Sequence, residues 1–271
     1  MKIIKVEPMI WEDFFIRWTR IAGNVTFRYF LIAGTVFFLF YFILNRIMAS
    51  RKMQTKFPKL KDYSRDITYS LITILIFATI AAVTFILLDP FTLYYRDVEK
   101  FGWAYFYLSF PLMFFIHDAY FYWAHRLMHH PRLFKAIHRV HHQSTNPSPW
   151  TAYAFHPLEA LVEAGIILVL GFVLPIHQAA FGLFMLFQFS YNVYGHLGYE
   201  LYPKNFHRTK IGKWINTGTA HNQHHQYFHG NYGLYTLIWD RLFGTLRADY
   251  DQKFDQVTTQ NQSESQQKTL A

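Results

Sequence analysis

The apolar positions of this chain come in long blocks separated by short basic or polar segments, and the blocks predict the elements. Val25 to Leu44 and Ile67 to Leu88 are runs of about twenty residues, each enough to cross a bilayer core as a helix. Ahead of them, Ile10, Trp11, Phe14, Phe15, Trp18 and Ile21 share one helical face with Arg17 and Arg20 off it, which predicts an interfacial helix within 1–24. A third apolar stretch, 102–116, runs without a break into polar sequence, so its helix is expected to outlast the membrane. Asn146 to Trp150 carries two prolines and breaks the pattern. His156-Pro157 then restarts a helix, with Glu159 and Glu163 in the first turns where the helix dipole favours carboxylates. Leu158 to Leu174 and Ala179 to Tyr194 are two apolar arms joined at Pro175-Ile176-His177, predicting a membrane hairpin over 158–194. From about Asp251 the chain is rich in Gln, Ser, Thr and Lys, and a disordered tail is expected over 251–271.

These blocks predict an all-α integral membrane protein of four or five transmembrane or re-entrant helices carrying a histidine-rich helical cap. Two transmembrane helices and their loops occupy 25–101, and 102–250 forms the domain that bears the chemistry. Between residues 45 and 66 there are seven Lys or Arg, which marks that loop, and with it the cap, as cytoplasmic. The cap would then lie on the inner membrane of a bacterium or the endoplasmic reticulum of a eukaryote. The net charge of +9 sits in loops beside apolar spans, which points to a membrane surface and away from nucleic acid. With no cysteine, disulfides, thiolate zinc sites, iron–sulfur clusters and cysteine-attached haem are excluded. Any metal must be held by nitrogen and oxygen. No cleavable signal pattern opens the sequence, so the spans themselves are expected to direct insertion.

Histidine changes the picture most. All fifteen lie between His117 and His229. His125 and His129 are four apart; His138 stands three and four from His141 and His142; His221 stands likewise to His224 and His225. Residues three and four apart share a helical face, so each cluster is expected to converge on one spot, as a metal site requires. Eight imidazoles are too many for one ion, and two ions with about four each is the natural division. The hairpin returns the chain to its starting side, leaving only His177 at the far turn, so the clusters can form one composite site.

The three boxes in this order resemble the fatty acid hydroxylase/sterol desaturase superfamily of membrane di-iron enzymes. The flanks, Asp118 with Tyr122-Trp123, Ser144, Asn146, His156 to Glu159, His196 to Glu200 and Asn231 through Thr245, are similar to its sterol-desaturase-type branch. The resemblance covers roughly 60–250. It implies two iron ions, with zinc a substitute in a purified sample, and O2 as co-substrate. It also implies a lipid substrate drawn from the bilayer, hydroxylated or desaturated in lipid biosynthesis. Electrons would come from a separate cytochrome b5-, ferredoxin- or reductase-type protein, because the chain has no His-Pro-Gly-Gly segment of its own. Some relatives cleave ether lipids or convert aldehydes. Where some fatty-acid 2-hydroxylases have a further His-x-x-x-His, this chain has His196 and Glu200, which argues against carrying that activity over.

The expected ligands are His125, His129, His138, His141, His142, His221, His224 and His225, with His196 as a ninth at the end of an apolar arm. Asp118 and Glu200 are candidate supports for the ligands; Asp118, seven residues before His125, could accept a proton from an imidazole. His117, His156 and His229 stay outside the core set, and His130, turned away before Pro131, is not expected to ligate. Trp123, Trp150, Tyr153 and Phe155 read as interface anchors before channel walls. A His-Glu-x-x-His protease motif is absent from the sequence. A histidine-rich metal transporter would need ionisable groups within the spans, and the first two spans have no His, Asp or Glu.

Overall fold

The structure, a computed structural model, describes residues 8–259 and is helical among them, with isolated bridges in place of strands. Helix α1 spans Pro8–Phe38 and closes in a π-helical turn at Leu39–Ile43. Residues 9–22 do not form a separate interfacial helix. Ala22, Tyr29 and Ala33 continue one buried face, so nothing interrupts the helix at 24. Helix α2, Leu60–Ala82, starts ahead of the apolar run, because the Asp62 carboxylate accepts the Lys59 N–H at 3.0 Å and caps it there. It too ends in a π-helical turn, Val83–Leu87. Two stretches, Trp11–Ile43 and Leu60–Leu87, are long and apolar enough to cross a membrane.

Helix α3, Gly102–Met128, carries the third apolar stretch straight into the first histidine box, with Pro111 accommodated inside it. At 27 residues it is about 40 Å long. The short helix α4, Pro131–Ile137, leads to a 3₁₀ turn at His141–Gln143 and another at Pro149–Tyr153. The second box therefore lies across a helix end and a tight turn, not on one regular helix. Buried Asp66 of α2 fixes this segment by accepting Ser144 Oγ at 2.7 Å and Thr151 Oγ1 at 2.7 Å.

Helices α5, Pro157–Val173, and α6, Gln178–Gly195, form the hairpin. His177 at its turn donates from Nε2 to the Arg96 carbonyl at 2.7 Å, pinning the turn to the 89–101 loop. Tyr94 lies across α5 with its hydroxyl on the Ile167 carbonyl at 2.8 Å, a crossing open only because residue 171 is glycine. A Cβ there would stand 2.5 Å from the Tyr94 ring. The main core joins α2, α3, α5 and α6 around Met113, Ile166, Leu170 and Phe184.

Helices α7, Gly218–Tyr227, α8, Ile238–Leu242, and α9, Tyr250–Thr259, close the end opposite the His177 turn. The expectation of a disordered tail from Asp251 is corrected for 251–259. Tyr250, Phe254 and Val257 recur at helical spacing and are buried, with Tyr250 and Phe254 packed on Ala220 and Leu237. The remainder of that tail, 260–271, lies outside the described residues, as do residues 1–7 of the N-terminal segment.

Candidate metal centre

The nine expected ligands come together as two adjacent groups. His125, His129, His138, His142 and His224 form one, His141, His196, His221 and His225 the other, and in each the candidate ligand atoms lie within 4.8 Å of one another. The sequence boxes do not map one to one onto these groups. His141 parts from its neighbours because the 3₁₀ turn aims successive imidazoles in different directions, and His224 leaves His221 and His225 for the first group. Each box so contributes to the whole centre, and the second and third boxes bridge its halves.

Four elements deliver these side chains. The end of α3 supplies His125 and His129, the α4 terminus and its turn supply His138, His141 and His142, the end of α6 supplies His196, and α7 supplies the rest. Thr217 caps α7 by accepting the Ala220 N–H at 3.2 Å.

Five of the outward ring nitrogens are tied, whereas Nδ1 of His141 and of His142 is buried without a hydrogen-bond partner. Nδ1 of His125 donates to the Tyr232 carbonyl at 2.9 Å, that of His196 to Asn192 at 2.8 Å, that of His224 to Gly230 at 2.8 Å and that of His225 to Ser144 at 3.0 Å. His138 Nδ1 meets the Glu159 carboxylate at 2.7 Å. A neutral imidazole has one N–H, so each of these bonds leaves Nε2 as a bare lone pair. Those lone pairs face one another, His125 and His138 standing 3.0 Å apart at Nε2 and His225 and His196 3.1 Å, and the Nε2 atoms of His142 and His129, and of His221 and His196, come equally close at 3.1 Å. Lone pairs at that range repel, and a cation between them removes the conflict. Nitrogens bound to one ion at ~2.0–2.2 Å stand roughly 3.0–3.6 Å from each other, so the spacing fits a metal.

Electrostatics favour the ligating form. Burial, reinforced by neighbouring imidazoles, holds His138, His141, His142, His221, His224 and His225 well below the usual histidine range. Burial brings His125 and His196 down to about 4. All stay neutral at pH 7, and neutral imidazole is the form that binds metal.

Neither expected carboxylate support touches a ligand. Asp118 accepts the Tyr235 N–H at 3.0 Å, Thr236 Oγ1 at 2.5 Å and Trp239 Nε1 at 3.1 Å, so it anchors the loop before α8. The loop's peptide N–H groups satisfy its oxygens before any imidazole can. Glu200 accepts the Thr219 N–H at 2.9 Å and Thr219 Oγ1 at 2.7 Å, holding the first turn of α7. Its work is to place the helix that carries His221, His224 and His225. The residue that does meet an imidazole is Glu159, which the sequence offered only as a helix-start carboxylate. Asp240 was also missed. It accepts the Tyr232 and Gly233 N–H groups at 2.9 and 2.8 Å, fixing the carbonyl that orients His125.

The other histidines have separate work. His130, His156 and His177 cap α4, α5 and α6, each accepting the N–H two residues on at its Nδ1. His117 pairs with the Tyr235 hydroxyl at 2.9 Å, and His229 with Arg247 at 3.1 Å. Tyr153 and Phe155 are buried and line cavities beside the second group, so they are walls and not interface anchors. Trp123 is half-exposed against Phe243, and Trp150 packs on Tyr29 and Phe37.

Residues 110–245 match the family model described as fatty acid hydroxylase. A Delta(7)-sterol 5(6)-desaturase of Aspergillus fumigatus is 34% identical over 173 residues, 64% of this chain and 47% of the relative. One from Leptosphaeria maculans is 35% identical over 153 residues, 56% of this chain and 41% of that protein. The chain thus spans about half the length of these relatives. Lathosterol oxidase of Rattus norvegicus is 29% identical over 276 residues, 98% of this chain and 89% of the relative. No solved structure matches.

Proposed function

We propose that this chain, which belongs to the fatty acid hydroxylase family, is a multi-pass membrane oxygenase that hydroxylates or desaturates a lipid C–H bond. The observation that carries this reading is the convergence of nine imidazoles as two adjacent groups, five of them with the outer nitrogen tied. His125, His129, His138, His142 and His224 would hold one iron, His141, His196, His221 and His225 the other. Bound there, iron supplies the redox chemistry by which O2 can oxidise an unactivated C–H bond. Nitrogen-only ligation by neutral side chains leaves the ions' positive charge uncompensated, which suits binding of a reducible co-substrate.

The chain's own residues do the positioning. Glu159 and four backbone carbonyls fix the orientations of five of the nine imidazoles before metal arrives. Phe155 packs on His141 with ring centroids 5.1 Å apart, giving the second group an apolar neighbour that excludes water. Two membrane-capable helices stand beside the centre and let a lipid reach it without crossing water. The basic loop between α1 and α2 supports a centre on the cytoplasmic face. Electrons come from a separate donor protein. The relatives' names, sterol desaturase and lathosterol oxidase, support a lipid as the substrate and dehydrogenation as one outcome.

The test is untargeted lipid mass spectrometry of a host expressing wild type or His141→Ala. A lipid with one added oxygen or two fewer hydrogens should appear with wild type alone. Identical lipid profiles from equally inserted proteins would reject the reading.

A further inference from the structure

Between α1, α2 and α6 runs a groove of about 530 Å³ that the metal centre does not use. One wall is apolar, formed by Phe77, Ala81 and Phe85 of α2 with Phe181 and Phe189 of α6. The other wall is unusual for a membrane-capable helix. Arg20, Asn24 and Arg28 of α1 follow one another at intervals of four and form a polar stripe along the groove. The stripe is about 12 Å long by helix rise, short enough for two long arginine side chains to converge beside Asn24.

Arg17 at the same wall is paired with Asp13 at 3.1 Å, but Arg20 and Arg28 have no carboxylate partner among the described residues. Arg28 lies well inside the Trp11–Ile43 stretch and is partly buried. A cation within a membrane segment is costly and marks a site that supplies its counter-charge. The stripe lies in the middle of α1 and ends about 25 Å of helix rise before the basic 45–66 loop, so attraction of that loop to a membrane surface does not account for it.

The groove points at the chemistry. It shares Phe77, Tyr153, Ile167 and Met185 with a smaller cavity of about 20 Å³, which Phe155 also lines. Phe155 in turn packs on His141. Midway along the groove, a Cβ on Gly182 would meet no atom within 4 Å, so the wall is open there.

We infer that this groove binds a lipid with an anionic head group, a carboxylate or a phosphate, held by Arg20, Asn24 and Arg28, with its acyl chain directed past Tyr153 toward His141. Given the oxygenase reading above, that lipid is the substrate. An anionic acyl lipid then differs in class from the sterols in the relatives' names.

The test measures binding to full-length, iron-loaded protein in detergent, under alkaline conditions that ionise the acid. The probes are cis-9-octadecenoic acid against the matching alcohol, and dioleoylphosphatidic acid against dioleoylglycerol. Wild type should prefer the anionic member of at least one pair by roughly tenfold, the scale of one charge-assisted contact. Arg28→Gln should erase the preference and Arg28→Lys should keep most of it, with iron content equal in all three. Gly182→Phe, which fills the groove without touching a charge, should weaken binding of acid and alcohol alike. Equal binding within both pairs by wild type would overturn the inference. So would a preference that survives Arg28→Gln, or displacement of the acid by inorganic phosphate alone at equal concentration. Product formation scored on the same samples after addition of O2 and a chemical reductant that takes the donor protein's place separates the two readings. Anion-selective binding with no oxidised lipid counts against the oxygenase, whereas equal oxidation of acid and alcohol counts against the head-group site.

Discussion

Glu159 holds His138 through a 2.7 Å contact between two side chains that are almost wholly buried, and no second acceptor replaces it. Removing the acceptor while keeping the volume should therefore loosen the imidazole. Glu159→Leu is expected to lower metal affinity by about 10- to 100-fold, and Glu159→Gln, which keeps an acceptor oxygen, by less. Titration against a competing chelator measures both, and wild-type affinity in the leucine variant would refute the role. The sequence exposes the nine imidazoles because their spacing is periodic and their residue type is rare elsewhere in the chain. It does not expose their partners. Four of the tied Nδ1 atoms meet backbone carbonyls, which every residue possesses, so no letter marks them. Glu159 was open to detection as a carboxylate at the head of an apolar arm, where an unpaired charge is costly. Asp118 shows the opposite failure, since the helical angle placed it near His125 but the 235–239 loop claims its oxygens first.

At the scale of elements, the long apolar helices were legible because their burial pattern extends over many turns, and the short connecting turns were not. A single 3₁₀ turn sends His141 to one group and His142 to the other, a division that box spacing cannot reveal. Helix α9 was hidden by polar composition, although four spaced positions suffice to bury one face. That helix rests on His207, whose ring is 4.3 Å from Phe254 by centroids and whose nitrogens are buried without hydrogen bonds. Burial lowers its pKa below the ordinary 6.5, outweighing the attraction of Asp251 and Asp255. The unfolded chain then takes up the proton first as pH falls through about 6.5, so this residue subtracts stability in acid and is neutral in effect above that value. His207→Phe keeps the packing and removes the titration. Between about pH 7.5 and 5.5 its melting temperature should fall less than that of wild type, and an equal fall would show that His207 does not titrate in this way.

For the whole molecule, the turn of the α5–α6 hairpin and the metal centre occupy opposite ends, with Glu159 at the start of one arm touching His138 and His196 at the end of the other touching His141. The hairpin closes the site because both its open ends are ligand-bearing or ligand-supporting. A groove with an arginine stripe on one side and an apolar wall on the other leads toward the same place, which joins lipid capture to the centre in one body. The role of the charge on α1 escaped sequence reading because Arg17 and Arg20 look like ordinary boundary cations, and only the packing of α1 on α2 and α6 brings Arg20 and the partly buried Arg28 to one groove. The central claim is that both histidine groups hold iron in the working protein. Its most direct test is metal content per chain in full-length protein purified under reducing, anaerobic conditions and shown to oxidise lipid. The account predicts two irons in wild type and a loss of iron with activity in His141→Ala and in His224→Ala, one substitution from each group. An active sample that contains zinc alone would contradict it.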